Sequence, residues 1–193
     1  MSPRTGRRGG DSRTRDDIRD AARELFARHG FDGTSLRAIA GHAGVDVALI
    51  PYYFTNKRGL FVAAMALPLD PAELVSAAAA GPRDQLGTRI AMTFLTTWEG
   101  ETTGPPLRAF LRSAVTDEAT AQSFGEFLSA EMLPVAAEQF GIGTDTVRAV
   151  GGLLFGIATM RYLIGAPAFT AQSADELCAS VGPQLQAIID QPH

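Results

Sequence analysis

The residues whose types could do chemistry fall into two groups. Histidine occurs at His29, His42 and His193, and cysteine only at Cys178. Neither recurs at a spacing that would hold a metal ion, and no paired carboxylates, nucleophile elbow or glycine-rich phosphate loop accompany them. His29 falls at a helix end, where a cation is favoured, and His42 on a polar helix face. No enzyme, metal or cofactor is expected. A lone cysteine forms no disulfide within the chain. It reads as a small core residue and fits a reducing cytoplasm. The second group is dense. Thr34, Ser35, Arg37, Tyr52, Tyr53 and Lys57 offer N–H and O–H donors within two dozen positions, with Val47, Ala48 and Pro51 among them. Donors of this kind hold phosphates, and small apolar side chains suit thymine methyls. The chemistry such a set could do is non-covalent contact with a polyanion such as double-stranded DNA.

Charge agrees. Residues 1–58 carry 11 Arg and Lys against 7 Asp and Glu, and residues 59–193 carry 6 against 14. A basic end on an acidic body points to a polyanion partner for the first part alone.

Those residues need a scaffold, and the pattern supplies helices only. Ile18, Ala21, Ala22, Leu25 and Phe26 form an apolar stripe at helical spacing from about Thr14, closed near Gly30. Thr34 has N-cap chemistry for a helix over 35–42. Gly44 breaks it, Asp46 caps a third helix reaching about Tyr53, and Asn56 caps a fourth to about Leu67, before Pro68. Further helices are expected near 71–79, 82–99, 105–116, 118–140, 144–165 and 173–190. With no alternating strand pattern, the fold class is expected to be all-α: an N-terminal three-helix helix-turn-helix DNA-binding domain plus a C-terminal helical domain. Residues 1–12 are expected to be a disordered basic tail, 13–55 the DNA-binding domain and 56–193 the helical domain. The arginines at 4, 7, 8, 13 and 15 could reach a minor groove. No run of 18 uncharged apolar residues is present; Ala149 to Met160 comes nearest, and no membrane association is expected.

The stretch from Thr34 to Phe61 resembles the DNA-binding domain of the tetracycline-repressor (TetR) family. The matching residues are Thr34-Ser35, Ile39-Ala40, Ala43-Gly44-Val45, Tyr53-Phe54 and Lys57, with Leu25-Phe26 and Gly30-Phe31 before them. The resemblance covers about residues 13–62. It implies a recognition helix in the major groove, with Val47, Ala48, Pro51 and Tyr52 at base edges and Thr34, Ser35, Arg37, Tyr53 and Lys57 at phosphates. It also implies that the C-terminal helical domain is the ligand-binding and dimerisation domain of a cytoplasmic repressor, which a small molecule releases from a palindromic operator. Dimerisation would run through about 144–165 and 173–190. Three positions depart from the family pattern: Asp46, Ala48 and Pro51. Pro51 should remove one backbone bond and kink or tighten the recognition helix.

In the second half, Phe94, Trp98, Phe110, Ala114, Phe127, Met160 and Arg161 are the candidate effector contacts, with Phe124, Met132 and Tyr162 as further aromatic and Met positions. Each can equally be ordinary core. Arg161, in a nearly uncharged helix, calls for a carboxylate partner or an anionic ligand. Gly151, Gly152 and Gly156 weaken their helix unless another helix approaches closely. A carrier or adaptor without DNA binding is the competing class, favoured by Asp46 and Pro51.

Overall fold

The computed structural model describes residues 7–67 and 70–191. Twelve α-helices follow one another there, with no strand among the described residues. Helix α1 (Arg7–His29) starts seven residues before the expected position. Residues 1–6 of the expected tail lie outside the described residues, and from Arg7 onward the backbone is helical. Helices α2 (Leu36–Ala43), α3 (Leu49–Phe54) and α4 (Lys57–Ala64) pack on α1.

Their shared core holds Ile18, Phe26, Phe31, Ile39, Ile50, Leu60 and Phe61, all at most 2% exposed. Because Leu60, Phe61 and Ala64 lie inside this core, α4 belongs with the first three helices. The boundary expected after residue 55 thus falls between helices that share one core, to which Ala72, Phe127 and Met132 of the second half also belong. Arg58 ties that helix onward: its Nε lies 3.5 Å from Asp70 Oδ2, and Asp70 caps α5 (Pro71–Ala79) by accepting from the Ala72 N–H.

A second core forms around α6 (Leu86–Glu99), with Leu86, Ile90, Leu95, Val150, Ile157, Leu177, Val181 and Leu185. Here α12 (Ala174–Ile189) crosses α6 at backbone contact. A Cβ on Gly87 would come within 2.4 Å of Gly182 O and Gln186 N, and one on Gly182 within 3.0 Å of Thr88 Cα. Only two glycines permit that approach. Helices α7 (Gly104–Thr116), α8 (Glu118–Phe127), α9 (Leu133–Phe140), α10 (Thr144–Ala158) and the short α11 (Pro167–Thr170) complete the half.

Two widened π-type turns were not foreseen. One, Leu128–Met132, joins α8 to α9 where Pro134 has no N–H to donate back. The other, Thr159–Ile164, extends α10 until the Ala166 N–H closes on Met160 O at 3.0 Å.

Candidate nucleic-acid interface

The helix-turn-helix is built by short-range bonds. Ser35 Oγ accepts from the Ala38 N–H to start α2. Gly44, at φ 67°, takes the left-handed turn. Asp46 Oδ1 then accepts from the Ala48 N–H at 2.8 Å, which engages the carboxylate locally. Leu49 N donates to Asp46 O and Ile50 N to Val47 O, at 3.0 and 3.1 Å. These three-residue bonds tighten the first turn. They satisfy Val47 O, the carbonyl that Pro51 would otherwise leave without a donor, so the proline is absorbed by tightening.

Ile50 and Phe54 are buried, at 0% and 5%. The opposite face is open: Val47, Ala48 and Pro51 are exposed, and Tyr52 is 74% exposed, its ring edge-on to Tyr53 at 4.8 Å. Ser35 and Arg37 are exposed, and Tyr53 is half-buried. The Arg15 guanidinium stands 5.3 Å over the Phe54 ring, holding the end of α3 against α1. The other expected minor-groove arginine with a described side chain, Arg13, is exposed.

Two residues expected at phosphates have partners within the chain. Thr34 is 3% exposed, and its hydroxyl lies 2.8 Å from Gly30 O and 3.1 Å from Leu25 O. It closes the end of α1, and Ser35 takes the capping role expected of Thr34. Thr34→Val should therefore lower stability by about 1–3 kcal/mol, since it strands buried carbonyls. The salt dependence of DNA binding should stay unchanged. Urea unfolding and a salt titration separate the two: a shallower salt slope would put Thr34 back on a phosphate. Lys57 is the second. Its ammonium lies 4.4 Å from the Phe31 ring centroid, turned inward and near Glu126.

Glu126 belongs to α8 in the other half. Its Oε2 accepts from the Asp32 N–H at 2.9 Å, and it stands so close over Gly30 that a Cβ there would meet it at 2.3 Å. The Asp32 N–H, then Gln122, hold this carboxyl below the usual glutamate range. One turn earlier, the buried Ser123 hydroxyl donates to Phe26 O at 2.6 Å. Sequence alone gave no sign of either contact.

The expected effector residues separate. A cavity of about 240 Å³ lies between α5, α6, α9 and α10, and Phe94, Met132, Phe140, Val150 and Leu154 are on its wall. A second, of about 340 Å³, lies at the junction of the halves and includes Phe110. Trp98, Ala114, Met160 and Arg161 line neither. Trp98 stacks on Tyr162 at 5.1 Å. Phe127 is fully buried in the first core, stacked on Phe61 at 4.6 Å. Arg161 pairs with Glu99 at 2.8 Å and donates to Gln172 O and, in a short contact, to Phe169 O, so an internal partner replaces the anionic ligand. Burial and the Glu99 charge push Tyr162 up to about 12.

Comparison with known proteins agrees with this architecture. Residues 18–64 match the model of bacterial regulatory proteins of the tetR family, and residues 84–189 match that of the tetracyclin repressor-like C-terminal domain. Over 43 residues, 22% of this chain and 20% of the other, the sequence is 58% identical to the HTH-type transcriptional regulatory protein RaaS of Mycobacterium tuberculosis. The chain spans about a fifth of the length of the curated relatives it matches. A TetR-family regulator of Streptomyces coelicolor A3 superposes with a TM-score of 0.51 at 31% identity, over 96% of this chain and 99% of that one. The multidrug binding protein EbrR, solved with imidazole, gives 0.52 at 25% identity over 100% and 99%. With the second half matched as a domain and the first carrying the helix-turn-helix, the chain belongs to the TetR family of transcriptional regulators, which are not enzymes.

Proposed function

We propose that this protein is a cytoplasmic homodimeric repressor that sits on a palindromic operator and is released by a small apolar molecule. The observation that carries DNA reading is the outward face of α3. Val47, Ala48, Pro51 and Tyr52 share one exposed surface while Ile50 and Phe54 anchor the opposite one. Val47 and Ala48 read thymine methyls, Tyr52 reads a base edge, and Ser35, Arg37 and Tyr53 hold phosphates on either side. The Lys57 side chain, whose ammonium lies over Phe31, adds a phosphate contact by swinging outward.

Dimerisation is supported by α10. Among the described residues, nothing outside the helix's own backbone lies within 4 Å of a Cβ position at Gly151, Gly152 or Gly156, and Phe155 is 46% exposed beside them. From Thr144 to Ile164 the chain is long and apolar enough to cross a membrane, with mean hydropathy 1.4 and 22% of the window buried. A second copy is the better cover. The stretch contains Arg148 and Arg161, one bound to Asp145 and the other to Glu99, and glycine-lined faces favour close helix–helix packing. Helices α10 and α12 of two copies would then form a four-helix bundle.

The effector reading rests on the cavity lined by Phe94, Met132 and Val150, whose nearly unbroken apolar wall suits an uncharged ligand. EbrR, a multidrug binding protein of similar fold, adds to this.

Binding-site selection tests the DNA reading. Arg37→Ala should weaken all sequences alike and reduce the log–log salt slope by about 0.9, the value of one released phosphate contact. Tyr52→Ala should change the preferred bases, with about 1–3 kcal/mol of discrimination lost at one position. An unaltered base preference would remove Tyr52 from the reading surface.

A further inference from the structure

The cavity at the junction shares no lining residue with the apolar cavity of the second half. It opens between α1 and α4 on one side and α7 and α8 on the other. Ala27, Met65, Ala109 and Phe110 give it apolar walls. Its polar groups differ from those of the other cavity. Arg23 enters from α1: its Nε donates to Ala64 O at 2.9 Å, and Nη1 approaches Asp20 Oδ1 only to 3.7 Å. The side chain remains 53% exposed, and its Nη2 makes no hydrogen bond or ion pair with another described residue. Ser113 enters from α7, and its hydroxyl makes no hydrogen bond to another described residue.

We infer that this junction is a binding site for small organic acids: a carboxylate on Arg23 and Ser113, with a compact apolar body between Met65, Ala109 and Phe110. A planar guanidinium whose Nη2 is unpaired among the described residues, and whose Nη1 is held by Asp20 only at 3.7 Å, matches a carboxylate bidentately. The volume, about 340 Å³, suits a molecule of that size.

The site bears on the DNA-binding half most directly through Arg23. Arg23 pegs Ala64, the last residue of α4, to α1. Two residues on, Ala66 sits at φ 53°, a conformation that residues with a side chain seldom adopt. A ligand carboxylate competes with Ala64 O for the Arg23 side chain. Its body separates α7 from the end of α4. The acid therefore favours an arrangement in which α4 is released from α1, which is the differential affinity that coupling requires. The effect on DNA rests on the induction reading above; the binding site does not.

Methionine-methyl NMR on the full-length protein tests it, because Met65 lines this cavity and Met132 the other. The probes are 4-phenylbutyrate, naphthalene-2-carboxylate and their uncharged amides. The acids should shift the Met65 methyl saturably in the millimolar range and leave Met132 in place. The amides should bind about tenfold more weakly, the loss expected for one charge-assisted pair. Arg23→Gln should abolish the preference for acid over amide, and Arg23→Lys should keep part of it; unchanged thermal unfolding shows both variants folded. The site is refuted if the acids leave Met65 unshifted, if they shift Met132 instead, if acid and amide bind alike, or if Arg23→Gln binds the acids undiminished. A gel shift with the same acids reads the second step. Release of DNA from the wild type but not from Arg23→Gln supports coupling, whereas binding at Met65 with DNA retained keeps the site and removes its link to induction.

Discussion

Phe155→Glu is expected to give a monomer whose operator affinity is lower by about 10²–10⁴-fold, the advantage that joining two recognition helices confers. The argument starts from exposure. Phe155 projects from α10 between glycines at 152 and 156, where, among the described residues, nothing outside the helix's own backbone comes within 4 Å of a Cβ position. A carboxylate at the centre of an apolar helix–helix contact would lose its water without gaining a partner, a penalty of several kcal/mol for each copy. Within one chain the substitution meets solvent, so the fold should stand. Sedimentation velocity and a gel shift read the two consequences. A variant still dimeric at the wild-type concentration would place the interface elsewhere.

The second large effect concerns Phe127→Ala, expected to lower stability by about 3–5 kcal/mol, as for other fully buried phenylalanines. Phe127 is a residue of α8, yet it completes an aromatic cluster of the first core. Its ring lies 5.4 Å from Phe31, edge-on, and 4.6 Å from Phe61, stacked, while Phe26 touches both of those rings. No neighbouring side chain can fill the space without leaving this arrangement. Because Phe127 joins the two halves, the variant should also respond less to any effector, with the DNA-binding half held less firmly. Urea unfolding gives the first quantity and effector titration of a DNA complex the second. A loss below about 1 kcal/mol would mean that the cluster closes around the gap.

What the sequence displays and what it conceals divide along contact range. Helix starts and stops depend on neighbours a few residues away. Asn56, Asp70, Gly44 and the capping box of Ser173 and Glu176 all act locally, so boundaries such as 71–79 and 173–190 are readable from caps and breakers. The exposed face of α3 is readable for the same reason, since Ile50 and Phe54 mark the buried side. Thr34 shows the limit: a hydroxyl at a helix start suits a phosphate or a buried carbonyl equally well, and the fold of α1 over it decides. Phe127 and Arg161 show it again. Their partners lie far away in sequence, at Phe31, Phe61 and Glu99, and nothing in their own periodicity names them. The cavities follow suit. Phe94 lines one and Phe110 the other because of how α6 and α7 pack, while Trp98 shares the same stripe and stacks on Tyr162 instead.

The end of α1, closed locally by Gly30 and Thr34, is also held by residues almost a hundred positions downstream: Ser123 on Phe26 O, and Glu126 on the Asp32 N–H. Chains emerge from the ribosome N-terminus first, and domains tend to fold as they appear. The helix-turn-helix therefore leaves the ribosome complete in sequence but with its first helix unfinished at the lower end. It waits there for α8 to be made. A nascent chain paused before residue 123 would hold a recognition helix on a loosened base, so tight DNA binding should be a late event in the protein's synthesis, withheld until the regulatory half is there to govern it.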